Sequence, residues 1–205
     1  DFADVVFLAV KPQFLEEVLD EIKDNVKEGQ IFISIAPGKT LQWLGEHLGE
    51  GTKIIRTMPN TPAMVGEGMT ALCVNEQVTE KETLLAVTLC NTFGKTEVIP
   101  ERLMDAVVGV SGSSPAYVFM FLEAMADAAV ADGMPRAQAY KFAAQAVLGS
   151  AKLMLETGKH PGELKDMVCS PAGTTIQAVR VLEEKGLRSA VIEAQLECVK
   201  KAKGM

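Results

Sequence analysis

The stretch Val5-Val6-Phe7-Leu8-Ala9-Val10-Lys11-Pro12 decides how the rest of the chain is read. Val5 to Val10 is apolar without a break, the pattern of a strand buried on both faces of a parallel sheet. Pro12 suits the first turn of a helix, where its missing N–H costs nothing. Phe14, Leu15, Val18, Leu19 and Ile22 then follow at helical spacing. The alternation continues downstream. Strands are expected over Ile31–Ile35, Lys53–Arg56, Thr70–Val74 and Thr96–Ile99, with helices from a Thr40 cap to Leu48 and from a Thr79 cap to about Asn91. Strands alternating with helices predict an α/β fold with a largely parallel, doubly wound sheet.

Past Pro100 the pattern changes to Ala, Leu and Met, and everything reads helical. Residues 1–100 carry 8 basic and 15 acidic side chains, whereas residues 101–205 carry 12 of each. The expected organisation is therefore an α/β domain over 1–100 and an all-α domain over 101–205. Pro115 to Asp132 and Pro135 to about Glu156 are apolar nearly all round, and such helices require burial. A half-chain of this size is hard to cover from within, so self-association as a homodimer or a higher oligomer is expected, and a self-contained helical bundle is the other reading.

The 205 residues suffice for a real core without metal or disulfide staples. A net charge of −7 with 5% aromatics argues against a nucleic-acid binder. No uninterrupted apolar run approaches the roughly 18 residues of a membrane span, so no transmembrane helix and no membrane partner are expected. No signal peptide is read at the start. Cys73, Cys90, Cys169 and Cys198 form no C-x-x-C pair, and only His47 and His160 stand beside them. Reduced thiols in a cytoplasmic protein and no metal site are the expectation.

Four segments carry the chemistry. Ala9-Val10-Lys11-Pro12 and Ser34-Ile35-Ala36-Pro37-Gly38 lie at the carboxyl ends of successive strands, where open α/β sheets bind ligands. Each also reads as an ordinary turn. Gly109-Val110-Ser111-Gly112-Ser113-Ser114-Pro115-Ala116-Tyr117 reads as a Gly/Ser loop, with Ser114 as helix cap and Pro115 in the first turn. Such a loop bares N–H groups beside hydroxyls and suits a small polar ligand. It does not satisfy G-x-S-x-G, so a serine hydrolase is not indicated. Ser170-Pro171-Ala172-Gly173-Thr174-Thr175 opens a helix with small residues, leaving unpaired N–H groups and a partial positive charge that fit a carboxylate or phosphate. A strongly capped helix with no ligand is the other reading. Gly66-Glu67-Gly68-Met69-Thr70-Ala71 matches G-x-G-x-x-A but precedes a strand rather than a helix, so it is read as a turn.

Together, AVKP at Ala9–Pro12, MPNTP at Met58–Pro62, SGSSPAY at Ser111–Tyr117 and SPAGTT at Ser170–Thr175 resemble the pyrroline-5-carboxylate reductase family along essentially the whole chain. The resemblance implies part of a Rossmann-type domain followed by a helical dimerisation domain, with NADP or NAD as cofactor. It implies that Ala9, Val10, Lys11 and Pro12, with Ile35, Ala36 and Pro37, line the cofactor crevice. It implies further that Ser170, Gly173, Thr174 and Thr175 hold the substrate. The family's Gly-rich phosphate-binding turn is expected upstream of Asp1. Ala172 departs from the pattern, because the family more often has a second Gly there.

The implied reaction is hydride transfer to the cyclic imine 1-pyrroline-5-carboxylate, giving L-proline, with Thr175 as the catalytic side chain that hydrogen-bonds the ring nitrogen. Residue types agree. Pro115 to Ala131 contains no Lys, Arg or His, and a protonated imine needs no general base, unlike an alcohol being oxidised. The alternatives are a non-catalytic dimerisation and carboxylate-binding fragment, and a related hydroxyacid dehydrogenase.

Overall fold

The computed structural model describes residues 2–204. Its packing divides the chain into two compact units, residues 2–115 with 195–204 and residues 116–194. Where composition alone puts a division at Pro100, the packed unit starts at Ala116, because the segment after Pro100 is tied to the sheet by Met104 and Val107.

The first unit is built on a five-stranded sheet: β1 (Val5–Leu8), β2 (Ile31–Ser34), β3 (Lys53–Met58), β4 (Gly68–Val74) and β5 (Gly94–Val98), in that spatial order. The β1–β2, β2–β3 and β4–β5 pairs are parallel and β3–β4 is antiparallel. Phe32 faces Ile54 across β2–β3, and Leu8, Leu15, Leu19, Leu44 and Leu48 close that core. They come from β1, from α1 (Pro12–Ile22) and from α2 (Leu41–Leu48). The neighbouring residues Ile33 and Ile55 point to the other face, where they meet Leu72 and Ala86 of α3 (Glu80–Cys90). A period of two along each strand thus feeds two cores, one per face.

The helix starts carry the chemistry expected of them. The Thr40 hydroxyl accepts the Trp43 N–H at 3.0 Å. Thr79 and Glu82 form a reciprocal capping box at the start of α3. The β1 and β2 strands end at Leu8 and Ser34, slightly before the apolar runs do. Gly66 closes a short turn with φ +77°, and Gly68 begins β4, so the G-x-G-x-x-A match is a turn into a strand.

The segment read as a Gly/Ser loop is helical. It runs from α4 (Met104–Val107) through a π turn at Val108–Gly112 into α5 (Ser114–Ala131). Ser114 is inside the helix rather than its cap, and its hydroxyl donates to Val110 O at 2.5 Å. The Ser113 N–H donates to Val108 O at 2.8 Å, five residues back, which is the bond that defines a π turn. These N–H groups and hydroxyls are engaged internally, which corrects the expectation of a loop open to a ligand. Continuity across Gly109–Ser113 also yields a helical stretch, Glu101–Ala131, long and apolar enough by length and composition to cross a membrane. Ser and Gly interrupt the apolar run there without ending the helix, so the sequence shows no unbroken run of that length.

The second unit holds most of α5, α6 (Arg136–Thr157), α7 (Pro161–Val168), α8 (Thr174–Glu184) and the first part of α9 (Leu187–Lys203). The apolar helices expected to require cover are open on the single chain. Phe119 is 63% exposed, Met120 70%, Phe142 68% and Leu155 84%. The small residues Ala126, Ala139 and Ala143 are the buried ones on α5 and α6.

Candidate functional site

The expected site residues fall into two sets, one in each compact unit. The first set gathers at the carboxyl ends of β1 and β2. Leu8 pairs with Ser34, and the Ile35 N–H donates to Leu8 O at 3.2 Å, so the two strand exits run side by side. Ala9 and Lys11 are exposed, and Pro12 opens α1 with Lys11 as its extended cap residue. Ile35 and Pro37 are half-buried. Ala36 is 1% exposed and packs among Leu8, Leu15 and Leu44, so its side chain serves the core and only its backbone is near the exit. Parallel strand ends with small or extended residues fit a dinucleotide, which approaches backbone rather than side chains.

A third parallel exit adjoins these two. β3 ends at Met58, and the Pro-rich loop Met58–Pro62 follows. Asn60 ties this loop down with both ends of its amide. Its Oδ1 accepts the Met69 N–H at 2.8 Å and its Nδ2 donates to Ser111 O at 3.1 Å. Met58 lies against the same π turn. A Cβ added to Gly112 would stand 2.8 Å from Met58 Cε, too close for any real contact. Two motifs 51 residues apart in sequence, MPNTP and SGSSPAY, thus form one joint. Sequence reading missed it. The signal was Pro115, which has no N–H to offer the carbonyl four residues back at Ser111.

The second set opens α8. Gly173 is the cap residue with extended φ −75° and ψ 170°, and no side chain caps the helix. Its own N–H donates to Ser170 O at 3.0 Å, closing a tight turn. A Cβ on Gly173 would collide with the Ser170 hydroxyl, so the position tolerates only glycine without movement. Ser170 and Thr174 are exposed, and Gly173 and Thr175 are half-buried. The first-turn N–H groups of α8 therefore open beside hydroxyls on a helix end with partial positive charge. Ala172 has φ +55°, the left-handed region that favours glycine, and is the non-glycine residue with positive φ among the described residues. A glycine in place of Ala172 would be free of that strain.

The thiols offer no competing chemistry in the sheet. Burial, reinforced by the Glu101 carboxylate, pushes Cys73 up to about 12, and burial also raises Cys90. Neither is a nucleophile at neutral pH.

Comparison with known proteins agrees with both halves. The family model described as pyrroline-5-carboxylate reductase dimerisation matches residues 101–205, and one described as NADP oxidoreductase, coenzyme F420-dependent, matches residues 1–38. Pyrroline-5-carboxylate reductase of Escherichia coli (strain K12) is 61% identical over 200 residues, covering 98% of this chain and 74% of that protein. The enzyme of the same name from Arabidopsis thaliana is 41% identical over 201 residues, covering 98% and 72%. Among solved structures, a pyrroline-5-carboxylate reductase from Coxiella burnetii superposes with TM-score 0.93 at 38% identity, covering 99% of this chain and 76% of that one. A Plasmodium falciparum pyrroline carboxylate reductase with NADP bound gives 0.92 at 32% identity, covering 98% and 77%. With a sheet of this order, a bare glycine-capped helix and relatives at this identity, the chain belongs to the pyrroline-5-carboxylate reductase family.

Proposed function

We propose that the chain is the reductive machinery for 1-pyrroline-5-carboxylate, converting it to L-proline with NADPH or NADH. The observation that carries this reading is the start of α8. An 11-residue helix begins at a glycine with no side-chain cap, so its N–H groups are free to bind the substrate carboxylate. Ser170, Gly173 and Thr174 form that carboxylate seat. Thr175 hydrogen-bonds the ring nitrogen as the iminium becomes an amine. The iminium already carries its proton on nitrogen, so no proton has to be delivered during the step. When bound, the nicotinamide supplies the two electrons and the hydrogen that add to the imine carbon. Ala9, Val10, Lys11, Pro12, Ile35, Ala36 and Pro37 form the cofactor crevice, with Ala36 contributing backbone only.

The domain reading is an α/β cofactor domain over 1–100 and a helical dimerisation and substrate domain over 101–205. The matched dimerisation model and the open apolar faces of α5 and α6 support a homodimer. A dimer would cover Phe119, Met120 and Phe142, large apolar side chains that stand open on the single chain. Cytoplasmic residence is part of this reading, and the four thiols, none of them paired with another, support it.

The test is nicotinamide absorbance in the presence of 1-pyrroline-5-carboxylate, run on this chain and on the complete gene product. Oxidation of NADPH or NADH with stoichiometric proline supports the reading. Proline binding without turnover in either form favours the non-catalytic module instead. Turnover restricted to hydroxy acids favours the dehydrogenase.

A further inference from the structure

The loop Met58–Pro62 is a motif to which the proposed reaction assigns no role. Its Asn60 makes a contact that the local sequence of α5 requires. In a regular helix Ser111 O would receive the N–H of residue 115, but Pro115 has none. Asn60 Nδ2 supplies the missing donor at 3.1 Å. The other end of the same amide is held by the Met69 N–H, so the side chain cannot swing away without losing both bonds. On its other side the π turn is held by the last turns of α9. A Cβ on Gly109 would meet Val199 Cγ2 at 3.1 Å, and Cys198 Sγ lies 3.1 Å from Ser113 Oγ. The turn is thus fixed at the carboxyl end of β3, the strand whose exit adjoins that of β2.

We propose that Asn60 is a positioning residue for the reduction: it supplies the hydrogen bond that Pro115 withholds and so locks the Val108–Gly112 π turn at the edge of the nicotinamide crevice. This rests on the crevice reading given above. π turns inside helices are concentrated at functional sites, and they persist only when their unsatisfied groups are met from elsewhere. Displacement of such a wall by a fraction of an ångström disturbs the alignment of reacting atoms more than it disturbs binding.

The decisive variants are Asn60→Asp and Asn60→Ala in the complete gene product. Asp keeps the acceptor for the Met69 N–H and removes the donor to Ser111 O, so it isolates the proposed contact. The expected result for both is a fall in kcat of about tenfold, with NADPH affinity by fluorescence unchanged. Amide exchange at Ser113, whose N–H makes the π bond, is expected to accelerate about tenfold. Adding Pro115→Ala to either variant restores an N–H opposite Ser111 O and is expected to recover part of both effects. Wild-type kcat in Asn60→Asp, or faster exchange at Ser113 with unchanged kcat and KM, overturns the positioning role. If the unmodified protein does not reduce the imine at all, the crevice reading fails and the positioning role falls with it. The exchange measurement then still separates that failure from a turn that Asn60 never held.

Discussion

Arg56 of β3 and Glu101, 45 residues apart in sequence, meet at 3.0 Å between Nη1 and Oε1. The same carboxylate oxygen accepts the Leu41 N–H at 2.7 Å, at the start of α2. One carboxylate thereby joins a buried guanidinium in the middle of the sheet and the first turn of α2 to the segment that leads into the helices. Arg56 is 6% exposed, whereas the Glu101 side chain keeps 33% of its surface in solvent.

That asymmetry sets an order of effects. Glu101→Ala leaves a buried cation unpaired and is expected to destabilise by about 3 kcal/mol. Arg56→Met removes the buried charge and leaves a carboxylate that reaches water, so its cost is expected to be about 1 kcal/mol or less. Denaturant unfolding of the two variants side by side checks the order. Equal losses would mean that the pair is not the source of the stability.

Ala172 and Gly173 make opposite predictions in adjacent positions. Ala172 sits at φ +55°, so Ala172→Gly relieves steric strain that outweighs the added freedom of the unfolded chain. The expected gain is about 0.5–1 kcal/mol, read as a higher Tm. Gly173→Ala puts a Cβ into the Ser170 hydroxyl and over the open end of α8. KM for the imine is expected to rise about tenfold while cofactor affinity stays constant, a loss equal to one charge-assisted hydrogen bond.

Thr175→Ala separates binding from chemistry. If the hydroxyl acts on the ring nitrogen, the barrier rises by about 1–3 kcal/mol and kcat falls accordingly. Thr174→Ala is expected to act on KM instead, because the proposed function puts Thr174 in the carboxylate seat. Steady-state kinetics on both variants reads the split, and an unchanged kcat in Thr175→Ala removes that residue from the reacting centre.

Glu82 gives a pH signature. Its carboxylate, 2.5 Å from Lys53 Nζ and bonded to the Thr79 N–H, is held down to about 2 from an ordinary 4.5, the Lys53 bond being the larger cause. A depressed carboxyl stabilises the fold above its unfolded value and loses that contribution as pH falls from about 4.5 towards about 2. Acid unfolding of Glu82→Gln is therefore expected to be flatter than wild type across that window, with no difference in slope between pH 6 and 8. Parallel curves throughout would show that the capping box does not couple to protonation.

Elements governed by local sequence were legible in the sequence. Apolar runs of period two and helical spacing, bounded by Pro12, Thr40 and Thr79, mark the sheet and its helices because those patterns depend on neighbours a few residues away. The bare start of α8 was legible for the same reason, since a glycine cap with small flanking residues exposes N–H groups wherever the helix packs. Tertiary structure decided the rest. Gly109–Ser114 has the composition of a loop, yet it folds as a π turn running into α5 because Asn60, Met58 and the last turns of α9 supply what its own residues lack. Ala36 lies at a strand exit but is turned into the core by Leu8 and Leu44. The Arg56–Glu101 pair likewise exists only once β3 and the segment after Pro100 are brought together, and no spacing rule reaches across 45 residues.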